Sequence, residues 1–235
     1  MTPRQVRDIE YLLLDGTDRK TTDIVIERNG TVTARPPADY SPEMVDAVVE
    51  SKRMWIYRNL AEWKDLNAAT VVREWVNGET FLYLGRAYRL ALVSDQSCNL
   101  QLKEGRFCLN RNLIETGGFD LAKQAFEGYF TEKGLERFAK RAAFFAPKVG
   151  VKFSAIKVRD MGFRWASCSA KGVLNFHWKC MMAPPKIIDY IVVHELCHLR
   201  EANHNDVFWN EVDKILPDYR QRKDWLRMHG ASLDI

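Results

Sequence analysis

Residues 194–198 read His-Glu-Leu-Cys-His, and the apolar side chains Ile188, Val192, Leu196 and Leu199 recur around them with a helical period. Such a stripe commits the segment to a helix packed by one face. Residues four apart on a helix are neighbours, so His194 and His198 come side by side next to the packed stripe. Two imidazoles and a carboxylate beside a buried face need partners, and a metal ion supplies them. The spacing suits zinc, with Glu195 placed as a general base for a water molecule. His204 can close the ligand set from beyond the helix end. Three histidines leave a fourth position open, as in catalytic rather than structural zinc sites. Glu201, seven residues after His194 on the same face, is the alternative third ligand.

The interval from His198 to His204 equals that of the metzincin zinc proteases, which place glycine midway. Glu201 stands there instead, and no methionine is evident beneath the site, so the segment does not read as a metzincin. Asn203, which tolerates left-handed geometry, is expected to make the turn. Cys197 reads as a small core residue.

The first third of the chain reads as β-rich. Strands are expected at residues 9–14, 22–28 and 31–35, with Asn29-Gly30 as a hairpin turn. Ser41-Pro42-Glu43 opens one long helix reaching about residue 66. Strands near residues 81–84, 87–93, 99–102 and 106–109 follow, with short turns that suggest a meander. Gly117-Gly118 marks a break, after which a helix lined by Phe126, Phe130, Phe138, Phe144 and Phe145 runs to Pro147. A strand at 154–159, a loop at 160–171 and a strand at 173–180 lead to Pro184-Pro185, which starts the histidine-bearing helix. Helices at 206–216 and 219–229 close the chain. The fold class is therefore α+β: a β-rich region with one long helix at 1–112, then a helix and strand core at 113–235 carrying the H-E-x-x-H helix.

Hydrophobic content of 46% and seven tryptophans support a real core. Net charge is +4 with a sequence pI near 8.7, which permits anionic partners, nucleic acid included, without indicating them. No apolar run reaches the ~18 residues of a membrane span, so no membrane partner is expected. Five cysteines without a C-x-x-C pair, and no secretory pattern at residue 1 onward, lead to the expectation of a cytoplasmic protein with reduced thiols.

Around the helix, the residues expected to touch substrate are Arg164 and Ser167 in the loop and Asn175 and His177 in the strand. The alternation of residues 173–178 suggests a half-buried edge strand along which an extended peptide could pair.

Arg164-Trp165-Ala166-Ser167-Cys168-Ser169, Pro184-Pro185, the histidine motif, Asn203-His204, Phe208-Trp209, Pro217-Asp218-Tyr219 and Trp225-Leu226 resemble the YgjP-like metallopeptidase family. Gly78-Glu79, Phe81, Tyr83-Leu84-Gly85-Arg86 and Tyr88 fit its upstream part. Ala166 stands where the family usually has glycine. The resemblance implies a zincin-like core, related in motif to the SprT-like proteases, with His194, His198 and His204 binding zinc and Glu195 catalytic.

Three functions follow from these readings. The first is a zinc-dependent peptidase acting on peptides or proteins. The second is a metal-dependent hydrolase of nucleoside triphosphates, with Arg164 and the basic C-terminal helix near the phosphates. The third is a non-catalytic, zinc-stabilised module that binds nucleic acid or protein, which would not need Glu195.

Overall fold

Period-two alternation and tight turns near the N-terminus produce strands β1 (Thr2–Val6), β2 (Ile9–Leu13), β3 (Asp23–Ile26) and β4 (Val32–Arg35). The structure is a computed structural model that describes residues 1–235 except 28, 29, 67–70 and 163. The expected Asn29-Gly30 turn thus includes a residue outside the described ones. The strands pair in the order β1-β2-β4-β3, with β2 and β4 parallel. Two helices follow, α1 (Pro42–Ser51) and α2 (Arg53–Leu66), where the sequence led us to expect one. The chain leaves helical geometry at Lys52 (φ −95°, ψ 8°), whose N–H bonds the carbonyls of Val48 and Val49. Ser41 caps α1 by accepting from Met44 N–H, with Pro42 in the first turn. Ile9, Tyr11, Val32, Ala34, Val45, Val49 and Ile56 form the core of this unit, Met1–Thr70.

The second unit is Val71–Ile235, so the division falls at 70/71; residue 112 lies inside this unit. Strands β5 (Thr80–Tyr83), β6 (Arg86–Val93), β7 (Leu100–Lys103) and β8 (Arg106–Asn110) do not form a meander. Their order is β5-β6-β8-β7, with β6 and β8 parallel, the same pattern as the first sheet. Glu104-Gly105 turns tightly with both φ positive, so β7 and β8 form a hairpin. The longer connection before β7 crosses over instead, and Gln96 in it donates to the Cys108 carbonyl (2.9 Å).

Helix α3 (Asn112–Val149) breaks at Gly118, whose φ of 63° and ψ of −155° are non-helical. Beyond it Phe126, Phe130, Phe138 and Phe145 are buried, but Phe144 is 48% exposed, its ring under the Lys148 ammonium at 3.8 Å. Pro147 does not end the helix; it lies in the last turn, and Gly150 in left-handed geometry ends it by donating to the Ala146 carbonyl.

The third sheet has the order β10-β11-β9, formed by β9 (Ala155–Arg159), β10 (Ala166–Cys168) and β11 (Val173–His177). β10 lies in the stretch expected to be loop. Because it pairs with β11, β11 is the central strand and not an edge. β11 also stops at His177, where a 3-10 turn, Trp178–Met182, takes over. Helix α4 (Pro185–Cys197) buries Ile187, Ile188, Ile191, Val192, Val193 and Leu196. Arg141 on α3 grips Asp189 on α4 with two hydrogen bonds (2.6 and 2.8 Å). Helices α5 (Asp206–Ile215) and α6 (Tyr219–His229) follow. The described residues thus form six α-helices and three small sheets, a mixed α+β fold as expected. No helix among them is long and apolar enough to cross a membrane.

Candidate metal centre

The entry to α4 is fixed from the upstream sheet. Leu84 and Gly85 make the β5–β6 turn with φ of 51° and 76°. Their N–H groups donate to the carbonyls of Met181 (2.8 Å) and Met182 (3.0 Å). A Cβ on Gly85 would stand 2.8 Å from Pro184 Cα, so only glycine lets the turn sit against the start of α4.

At the other end of α4 the three histidines meet. The Nε2 atoms of His194 and His198 are 3.2 Å apart, those of His198 and His204 3.0 Å, and those of His194 and His204 2.9 Å. These are the residues among those described that offer a converging metal-ligand set. His198 Nδ1 lies 3.0 Å from the Glu201 carbonyl oxygen. A carbonyl only accepts, so Nδ1 carries the proton and Nε2 presents its lone pair to the other two rings. Lone pairs crowded this closely repel unless a cation lies among them. Three imidazole nitrogens with a fourth position open fit a divalent ion of the zinc type.

The chain returns to place His204 without left-handed geometry at Asn203, contrary to expectation. Bonds from Leu199 N–H to the Leu196 carbonyl and from Arg200 N–H to the Cys197 carbonyl tighten the last turn. The Glu201 carboxylate then accepts from Asn203 N–H (3.1 Å), which turns it into the bend. Asn205 caps α5 by accepting from Phe208 N–H (3.0 Å).

That cap sets the Phe208 ring 4.5–4.9 Å from all three imidazole centroids. Trp209 stacks on His204 (5.6 Å, 23°) and on Tyr219 (5.3 Å, 13°). Tyr190, one turn before His194, meets its ring edge-on at 5.9 Å. Sequence reasoning did not assign this aromatic cradle to the site; its signal was the aromatic pair four and five residues after His204. Burial holds the pKa of His194 well below, and that of His198 below, the usual imidazole range. Both rings therefore stay neutral, as ligands must be.

Glu195 is 5% exposed, and its Oε2 has no hydrogen-bond partner among the described residues. Burial pushes its pKa up to about 8, against a smaller opposite pull from the Arg164 charge. Cys197 is buried and its thiol is pushed up to about 12.

The remaining expected site residues separate. Asn175 is buried and donates to Ser167 Oγ (3.3 Å), joining β11 to β10. His177 is 1% exposed; its Nδ1 accepts from Lys179 N–H (3.1 Å) and its Nε2 faces Asp160 Oδ1 at 3.6 Å. Arg164 is exposed at the approach to β10.

An α+β chain with a converged histidine cluster and a buried carboxylate on the same helix has the makings of a metallohydrolase. The family described as YgjP-like, metallopeptidase domain, matches residues 20–229, and the chain belongs to it. Among solved structures, the chain is similar to the metallopeptidase zymogen abylysin of Pyrococcus abyssi. Identity is 22% over 37% of this chain and 89% of that one, with a TM-score of 0.35. No curated protein matches the chain.

Proposed function

We propose that this chain is a zinc-dependent peptidase in which His194, His198 and His204 hold the metal and Glu195 handles protons. The observation that carries this reading is the convergence of three Nε2 atoms within 3.2 Å, beside a buried carboxylate on the same helix. Zinc, when bound, supplies Lewis acidity that activates water and polarises a carbonyl.

The protein's own groups do the rest. His198 is oriented through its Nδ1–H to Glu201, and the Phe208 and Trp209 rings hold the imidazoles in place. Glu195 accepts a proton from the attacking water on a carboxylate oxygen and returns it to the departing amine.

An extended substrate has an edge to pair with in β10. His177 N–H donates to the Trp165 carbonyl and Ser169 N–H to the Val173 carbonyl. By the alternation of an antiparallel ladder, the peptide groups of Ala166 and Cys168 then face away from β11. No strand among the described residues pairs with that side, which leaves it open to a peptide laid antiparallel. This edge replaces the one expected in β11.

The test is hydrolysis of a casein-type substrate by purified protein, with zinc and with chelator, alongside a nucleoside triphosphate panel. Chelator-sensitive proteolysis supports the reading. Chelator-sensitive nucleotide hydrolysis without proteolysis replaces it.

A further inference from the structure

Two cations outside any ion pair among the described residues lie near the histidine helix: Lys223, and Arg164, whose charge reaches Glu195. Lys223, on α6, holds its ammonium 4.3 Å from the Trp209 ring centroid, and Trp209 stacks on His204. The side chain is exposed, and its head group lies over the ring that stacks on the third histidine. Arg164 stands two residues before Ala166 at the N-terminal end of β10. Its backbone is anchored next door: a Cβ on Gly230 would lie 2.9 Å from Trp165 Cζ2, so Trp165 packs directly on the end of α6. The Trp165 carbonyl also accepts from His177 N–H and the Cys180 thiol.

At α6 the carboxylates Asp218 and Asp224 have arginine partners, whereas Glu201 has only a neutral one. Glu201 accepts from Asn203 N–H, Asp218 pairs with Arg222, and Asp224 lies 3.8 Å from Arg227. Arg164 and Lys223 thus remain exposed cations outside an ion pair among the described residues. Arg offers a planar fork and Lys a point charge, and each suits a single carboxylate.

Chain direction says which part of the substrate Arg164 meets. A peptide antiparallel to β10 runs with its C-terminal part toward the N-terminal end of that strand. Resting on the peptidase reading above, we propose that Arg164 and Lys223 make this cleft selective for peptides carrying a carboxylate on the C-terminal side of the scissile bond.

The experiment uses zinc-loaded, full-length protein and quenched-fluorescence peptides with amidated C-termini. They differ only in Glu, Gln or Lys just after the scissile bond; a matching Gln peptide with a free C-terminus separates a terminal from a side-chain carboxylate. The expected result is a kcat/KM about 5-fold higher for Glu than for Gln, the value of a well-placed exposed ion pair. The preference should shrink at about 0.5 M NaCl, where the screening length is only a few ångströms. Arg164→Glu and Lys223→Glu should each lower the Glu/Gln ratio, and Arg164→Glu should place Lys above Glu. Equal turnover of Glu and Gln peptides by the wild type overturns this inference alone, and needs no variant to fold. An unchanged order in both charge-reversed variants also overturns it. If the zinc-loaded wild type cleaves no peptide, the peptidase reading fails and takes this inference with it; hydrolysis of a nucleoside triphosphate in its place would assign the cations to phosphate.

Discussion

His198 Nδ1 lies 3.0 Å from the carbonyl oxygen of Glu201, so Glu201 serves the cluster through its main chain. Its carboxylate is occupied by Asn203 N–H. The alternative ligand and the favoured one therefore part company in their mutants. His204→Ala should weaken zinc binding by about 100-fold or more. Glu201→Ala keeps the carbonyl and should weaken it by less than about 10-fold. Competition against a chromophoric chelator measures both, and metal loss confined to Glu201→Ala would reverse the assignment.

Phe208 is fully buried and touches all three imidazoles. Truncating it removes core contacts and the surface on which the rings are set. Phe208→Ala should lower stability by about 3–5 kcal/mol in urea unfolding and weaken zinc binding as well. A loss below about 1 kcal/mol would mean the cradle is not a packing element.

Gly85 joins the upstream sheet to the start of the histidine helix. Gly85→Ala meets both a left-handed φ of 76° and Pro184 Cα at 2.8 Å. Backbone cannot move aside cheaply, so a destabilisation of about 2 kcal/mol or more is expected. Gly105 has a similar φ of 72° but open space around it, so Gly105→Ala should cost only the backbone strain of about 1 kcal/mol. Equal losses in the two variants would show that Pro184 does not abut the turn.

Metal-free protein should carry a pH signature. Glu195 has a folded pKa of about 8 against an ordinary value near 4.5, so between those values the folded state binds more protons than the unfolded one. Its contribution to stability is present at low pH and is lost as pH rises toward 8. His194 and His198 act oppositely: their folded pKa values are depressed, so stability falls as pH drops below about 6.5. Glu195→Gln should therefore gain stability over the wild type progressively from pH 5 to 8 in chelator-treated samples. A pH-independent difference between the two proteins would contradict the burial of that carboxylate.

The histidine helix was legible because its information is local: a stripe at helical spacing, a double proline at its start and histidines four residues apart. The cradle was half legible. Phe208 and Trp209 were visible as a pair, but their approach to the rings depends on the Asn205 cap and on a bend made by shortened hydrogen bonds at residues 199–201, which no residue type announces. Strand β10 was hidden because three residues are too few to show alternation, and missing it turned central β11 into an apparent edge. The crossed order of β6, β8 and β7 is likewise non-local; short turns read as a meander until Gln96 is seen reaching the Cys108 carbonyl. Lys52 interrupts the first long helix although nothing in its immediate sequence is a helix breaker.

Glu195 is proposed to move protons in a peptidase reaction and not to hold the metal. The direct measurement is peptide turnover by zinc-replete Glu195→Gln, with bound zinc counted in the same sample by elemental analysis. The expected result is one zinc per chain and turnover lowered by about 100-fold or more. Wild-type turnover in a metal-replete Glu195→Gln sample would contradict it.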